Sequence, residues 1–254
     1  MYIVNIQNGK NIKKLLLQIP ANTVVTSRRL TSMGISRMLV AEYVKSGWLR
    51  RLAPGAYTRL NEGADITGAL FALQADLMPT IHVGAATALN QYYGKLHFVK
   101  SETKTQLFAP LGQKVPTWFA KVYGENCDIN YSDFLPAETG LETRSGENFK
   151  LQVPSMERAL LELLYLVPKK ITISEAFAIT ETIASVKVAL LQELLEKCSS
   201  IKVKRLLLCF AETAGLQWSN VLDISNVDLG SGVRKIGKDG VLYPKYNLVI
   251  PKLG

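Results

Sequence analysis

Two histidines and three cysteines are the only imidazoles and thiols that the chain offers, and they lie far apart. His82 and His97 belong to no close Cys/His/Asp set with metal-ligand spacing, so both read as packing or surface residues. Cys127, Cys198 and Cys209 are odd in number and widely spaced, which disfavours a disulfide framework and a zinc ribbon alike. Cys127 becomes a nucleophile only if a distant base approaches it, and Cys198 and Cys209 read as core. Gly230-Ser231-Gly232 precedes a strand pattern and lacks the Lys-Ser/Thr ending of a phosphate-cradling loop. No Gly-x-Ser-x-Gly elbow is present. Asp223 and Asp228 form a carboxylate pair whose spacing suits a solvated loop better than an acid–base dyad. The sequence therefore predicts no enzyme, no metal and no cofactor.

What the chain concentrates is positive charge. It has 254 residues, with 30 Lys and Arg against 21 Asp and Glu, a formal net charge of +9. Residues 1–60 hold ten basic side chains (Lys10, Lys13, Lys14, Arg28, Arg29, Arg37, Lys45, Arg50, Arg51, Arg59) and one acid, Glu42. The first quarter thus carries the whole net charge, and the remainder sums to zero. Within that remainder, residues 199–254 hold eight basic and four acidic side chains, a second and milder basic region. A small module this basic draws polyanions through its field, with nucleic acid the usual target. Apolar residues make up 48% of the chain, enough for a proper core. No apolar run is long enough to span a membrane, and Met1 to Lys10 lacks the pattern of an export signal. A soluble, cytoplasmic, reduced protein is expected.

The elements that must position the early cations follow from spacing. Ile12, Leu15, Leu16 and Ile19 form one helical stripe that Pro20 stops. Thr26 offers an N-cap for a short helix through Ser27, Arg28, Arg29 and Leu30; Met33-Gly34-Ile35 forms a tight turn. Ser36 caps a second helix running to about Ser46, with Leu39, Val40, Tyr43 and Val44 inward and Arg37, Ala41 and Lys45 on another face. Residues 48–52 and 57–60 read as strands joined at Pro54-Gly55, with Trp48, Leu49 and Tyr57 as hairpin core. This order is that of a winged helix-turn-helix. Such a fold sets the start of its second helix in the major groove, where Ser36, Arg37, Met38 and Ala41 would lie deepest. Arg37 has the fork for a guanine edge. Ser27, Arg28 and Arg29 would position on phosphates, and Arg50, Arg51 and Arg59 would decorate the wing. Similar hairpins and basic helices also occur in protein-interaction modules, where the charges are a solvated face.

The rest reads as mixed helix and sheet. Helices are expected at 66–78, 84–93 and 155–166, then a long one from Ser174 to about Lys197 and another from Ser199 or Ser200 to Gly215. Thr105–Phe108, Trp118–Val122 and Leu151–Val153 look like strands, and 233–236 with 246–250 like a closing hairpin. The fold class is α/β (mixed α+β): a winged helix-turn-helix domain over 1–62, then a mixed helix/sheet domain over 63–254.

Four blocks in order, Val44 to Tyr57, Val83 to Leu89, Pro154 to Glu162, and Asp228 to Lys235 followed by Lys245 to Pro251, resemble the AbiEi family of antitoxins from type IV toxin–antitoxin systems. The resemblance spans nearly the whole chain. It implies an N-terminal winged helix-turn-helix that represses the chain's own promoter at inverted repeats. It also implies a C-terminal domain that counters a nucleotidyltransferase-like toxin without a stable complex. By that likeness Ser27, Arg28, Arg29, Ser36, Arg37, Lys45, Arg50 and Arg51 would be operator contacts. Lys202, Lys204, Arg205, Arg234, Lys235, Lys238 and Lys245 would supply an antitoxin surface, one that acts on nucleic acid instead of on the toxin. Two other functions fit the residues: a winged regulator with a ligand-sensing C-terminal domain, and a nucleic-acid-processing enzyme that the winged domain docks.

Overall fold

The computed structural model describes residues 12–13, 15–95, 104–146, 148–237 and 239–253. Lys10, Lys14, His97 and Lys238 lie outside the described residues. In chain order, helix α1 (residues 12–13 and 15–18), strand β1 (Val25–Thr26), helices α2 (Ser27–Ser32) and α3 (Arg37–Lys45), and strands β2 (Leu49–Ala53) and β3 (Ala56–Arg59) come first. Helix α4 (Ile66–Asp76), strand β4 (His82–Val83), helix α5 (Ala85–Tyr93), strand β5 (Thr105–Ala109), helix α6 (Thr117–Tyr123) and strands β6 (Cys127–Tyr131), β7 (Leu141–Ser145) and β8 (Lys150–Pro154) follow. Helices α7 (Met156–Leu166), α8 (Ile173–Glu181), α9 (Val188–Lys197) and α10 (Ile201–Thr213) precede strands β9 (Arg234–Lys235), β10 (Val241–Tyr243) and β11 (Leu248–Ile250). The chain is mixed α and β, in two compact units. The first holds the described residues up to Ile81 with Gly112–Asp128 and Thr143–Gln152; the second holds those of His82–Leu111, Ile129–Glu142 and Val153 onward.

In the first unit, Ile12, Leu15, Ile19, Val25, Leu30, Val40, Tyr43 and Leu49 make one buried cluster. Thr26 caps α2 by accepting the Arg29 N–H at 3.0 Å, and Ser36 caps α3 by accepting the Leu39 N–H at 3.2 Å. Between them Gly34 takes a φ of +79°, the left-handed turn that glycine allows. β3 lies between β1 and β2, antiparallel to both. Leu49 is buried as expected, but Trp48 is 44% exposed and lies outside the core.

The unit extends past the 62/63 boundary expected from the sequence. Asp65 caps α4 through the Gly68 N–H at 2.8 Å, and Gly68 O accepts the Val24 N–H at 3.2 Å. A Cβ on Gly68 would sit 2.0 Å from Asn22 O, so only glycine permits this approach. The Thr26 hydroxyl, itself the α2 cap, donates to Asp76 Oδ2 at the far end of α4 at 2.5 Å. Residues 118–122, expected as a strand, are helical in α6. Their aromatic, β-branched composition suits a strand, but Phe119 and Tyr123 meet one turn apart, ring centroids 5.3 Å, and pack with Trp118 in the interior. α6 lies against β2.

In the second unit α7 is buried nearly throughout and packs against α5, α8, α9 and α10. The single long helix expected over 174–197 is two. Thr172, not Ser174, caps α8, and the chain leaves helical form after Thr182. There the carbonyl of fully buried Ile183 accepts the Trp218 indole N–H at 2.9 Å, a bond that replaces a helical one. The expected closing hairpin is also revised. β10 pairs antiparallel with β11, while β9 joins the other side of β11 in parallel. The reversal from β10 to β11 runs through Pro244–Tyr246 and Asn247, at φ +47°.

Candidate nucleic-acid interface

The phase of α3 decides which side chains face solvent. Val40 and Tyr43 are buried and Leu39 and Val44 half-buried, which leaves Arg37, Met38, Ala41 and Lys45 exposed. Met38, at 85% exposure, stands beside Arg37 on the first turn. α2 exposes Arg28 and Arg29 and buries Leu30. Neither helix carries an acid in its first turn, so the positive ends of both dipoles add to these cations. Ser27 and Ser36 hold the frame. The Ser27 N–H donates to Gly55 O in the wing turn at 2.9 Å, and Ser36 is the α3 cap. Arg50 and Arg51 are exposed on β2, where Arg50 donates to Glu62 O at 3.0 Å. Tyr123 of α6 donates to Ala64 O at 2.8 Å; burial and then the charge of Asp65 push its pKa up to about 12, with Arg50 pulling the other way.

Arg59 is a correction to the wing surface expected from the sequence. Its guanidinium donates to the carbonyls of Leu16 and Ile19 at the end of α1 and pairs with Glu62 at 3.3 Å. It closes a helix, and its half-buried position takes it out of the solvent-facing set.

The second basic region is corrected more deeply. Arg205 is 1% exposed and Lys204 3%. Arg205 donates to the carbonyls of Leu229 (2.7 Å), Gly232 (2.8 Å), Asn247 (2.9 Å) and Ser231 (3.4 Å), and Lys204 Nζ to Asp228 O (3.1 Å). Lys202 is half-buried, its ammonium on the Tyr165 and Val167 carbonyls at the end of α7. These three stitch the C-terminal segment together and do not form an open surface. Arg234 and Lys235 are exposed; so is Lys245, paired with Glu212 at 2.9 Å.

A polar cluster that the sequence reading left unassigned lies inside the second unit. Glu162, fully buried on α7, accepts from Arg158 Nε at 2.9 Å and lies 2.7 Å from His82 Nε2. Its other oxygen accepts the Ala85 N–H at 3.3 Å. Arg158 also donates to the Pro136 and Thr139 carbonyls at 2.7 and 2.6 Å, and so anchors the 134–140 loop. Burial by itself would raise the Glu162 pKa, but His82 and Arg158 hold it below the ordinary carboxylate value. The i,i+4 spacing of Arg158 and Glu162 inside an apolar helix was the available signal. Among the described residues no group of three His, Cys, Asp or Glu could hold a metal ion. No helix among them is long and apolar enough to cross a membrane.

Residues 8–101 match the AbiEi antitoxin N-terminal domain, described as a transcriptional regulator, and residues 102–251 match the AbiEi antitoxin of type IV toxin–antitoxin systems, described likewise. The chain belongs to the AbiEi antitoxin family. Its fold is similar to that of the RV2827C protein from Mycobacterium tuberculosis, a crystal structure with 16% identity and a TM-score of 0.61 over 97% of this chain and 92% of that one. No curated protein shows a significant match.

Proposed function

We propose that this AbiEi-family chain is a cytoplasmic DNA-binding autorepressor and the antitoxin of a type IV operon, with no catalytic activity of its own. The carrying observation is the set Arg28, Arg29, Arg37, Lys45, Arg50 and Arg51, exposed together on two capped helices and a wing of one winged unit. In this reading residues 1–62 read inverted repeats in the chain's own promoter, with α3 in the major groove. Arg37 contacts a guanine edge, and Met38 and Ala41 give apolar contact to thymine methyls. Arg28 and Arg29 position on phosphates, and Arg50 and Arg51 grip the backbone beside the groove. Residues 63–254 counter a nucleotidyltransferase-like toxin without a stable complex, through a surface on which Arg234, Lys235 and Lys245 are the exposed cations.

The test is binding to the DNA upstream of the chain's own gene against a scrambled duplex, across a salt series. Neutralising roughly six phosphates costs about three decades of affinity between low and moderate salt. Arg37→Ala should weaken the upstream duplex about tenfold, whereas Arg28→Ala should weaken both duplexes alike and lower the salt slope by about one. Equal, weak binding to both duplexes would defeat the repressor reading.

A further inference from the structure

Buried cations are ordinarily matched by carboxylates, because a charge removed from water is costly unless it is paired. The start of α10 departs from that rule. It carries Lys202, Lys204 and Arg205 with no acid in its first turn. Among the described residues, the head groups of all three meet only neutral groups: the Tyr165 and Val167 carbonyls and the face of the Tyr165 ring, 5.3 Å to its centroid, for Lys202, the Asp228 carbonyl for Lys204, and the Leu229, Ser231, Gly232 and Asn247 carbonyls for Arg205. Carbonyl oxygens solvate a cation without cancelling its charge.

Two exposed cations join them. Burial, then the charges of Arg234 and Lys169, lower the Lys202 pKa to about 8. The packing explains why. Arg205 grips the 229–232 loop, and a Cβ on Gly230 would lie 3.3 Å from the Ile201 side chain, so the loop leading to Arg234 runs alongside the start of α10. Lys169 follows two residues after the Val167 carbonyl that Lys202 holds. The nearby carboxylate of Asp228 accepts the Gly230 N–H at 2.8 Å within its own loop. Three packed chain segments, the end of α7, the start of α10 and the loop leading to β9, therefore carry five positive charges that make no ion pair among the described residues.

We infer that Lys169 and Arg234, backed by Lys202, form a binding site for a phosphate-bearing ligand in the second unit. The missing partner is a multiply charged anion that the described residues do not supply. Phosphate matches it, because an Arg fork and lysine ammoniums can share its several oxygens. The ligand is a free nucleotide or the backbone of a nucleic acid. Lys204 and Arg205 act from behind, through their field. This site needs neither the operator nor the toxin, so it stands or falls apart from the repressor reading.

The full chain carrying Arg28→Ala and Arg37→Ala, which thins the winged cations, is titrated at pH 8 with pyrophosphate, with ATP, and with a single-stranded oligonucleotide of about twelve residues. Calorimetry in two buffers of different ionisation heat reads proton uptake. The expected result is binding of at least one probe, weakened about tenfold or more by Lys169→Ala with Arg234→Ala and kept within about twofold by Arg234→Lys. Proton uptake should accompany binding, since an anion restores the full protonation of Lys202. Pyrophosphate and ATP binding point to a free nucleotide; binding of the oligonucleotide alone points to a nucleic-acid backbone. Lys169 and Arg234 are exposed, so unchanged circular dichroism and melting confirm that their variants fold. No binding of any probe at millimolar concentration, affinity indifferent to the double substitution, or binding without proton uptake would each overturn the site.

Discussion

Arg37 and Arg205 both stand early in amphipathic helices of basic segments, yet the fold puts them to opposite uses. Arg37 follows the Ser36 cap and lies on the exposed face of α3. Arg205 is almost wholly buried, and its guanidinium ties four backbone carbonyls from two loops. The first arrangement leaves a cation available to a ligand; the second consumes it in building the domain. A segment's net charge thus locates positive potential without saying which side chains are free to act on a partner. Helical phase settles that. α3 buries Val40 and Tyr43 and turns its cations outward, whereas α10 is buried from Val203 to Ala211, Lys204 and Arg205 included.

The sharpest way to break this contrast is Arg205→Ala. With its carbonyls left unsatisfied it should lose about 3–5 kcal/mol in urea denaturation, and Arg205→Lys should not restore the fork. Arg37→Ala should stay within about 0.5 kcal/mol of the parent. Equal losses would erase the distinction between the two regions.

Arg158 sharpens it from within the second unit, being a buried cation that does have a carboxylate. Glu162→Gln should cost about 2–4 kcal/mol by leaving Arg158 without its counter-ion. Because the folded Glu162 pKa lies below its unfolded value, this stability is present above about pH 4.3 and disappears as pH falls through the folded pKa. Acid titration of unfolding should therefore be steeper in the parent than in Glu162→Gln. A parallel pair of curves would mean that Glu162 is not the group being protonated.

The smallest effect belongs to Arg59, which lies in the basic first quarter of the sequence but behaves like Arg205. Arg59→Ala should cost about 1–3 kcal/mol of stability, while affinity for the upstream duplex per folded molecule changes less than about twofold. A larger loss of affinity with unchanged stability would return Arg59 to the DNA-facing set.

Much of this was legible in the residues. Caps at Thr26, Ser36 and Ser200, the stops after α5 and α10, and the α3 core face follow from local rules, and the structure keeps them. What escaped was decided at long range. α6 reads as a strand until β2 gives its aromatic face something to cover. The break between α8 and α9 depends on an indole 35 residues away, and Arg59 on carbonyls 40 and 43 residues back. Two-residue β9 is too short to announce whether it pairs parallel or antiparallel. The small, polar run Asn61-Glu62-Gly63-Ala64-Asp65 reads as a domain break, but its Asp65 caps α4, which Gly68 and Asp76 fasten to the winged segment.

That fastening bears on the order in which the protein can be made. The cations of α2 and α3 leave the ribosome early, yet the unit that holds them also takes in α6 and residues as far as Gln152. Its packing is complete only when Gln152 has been translated. A nascent chain stopped at residue 62 carries every winged cation without the helix that covers β2 or the Asp76 that holds the α2 cap. Under the proposed function, full operator binding should therefore lag behind the appearance of these cations and begin when the middle of the message has been read.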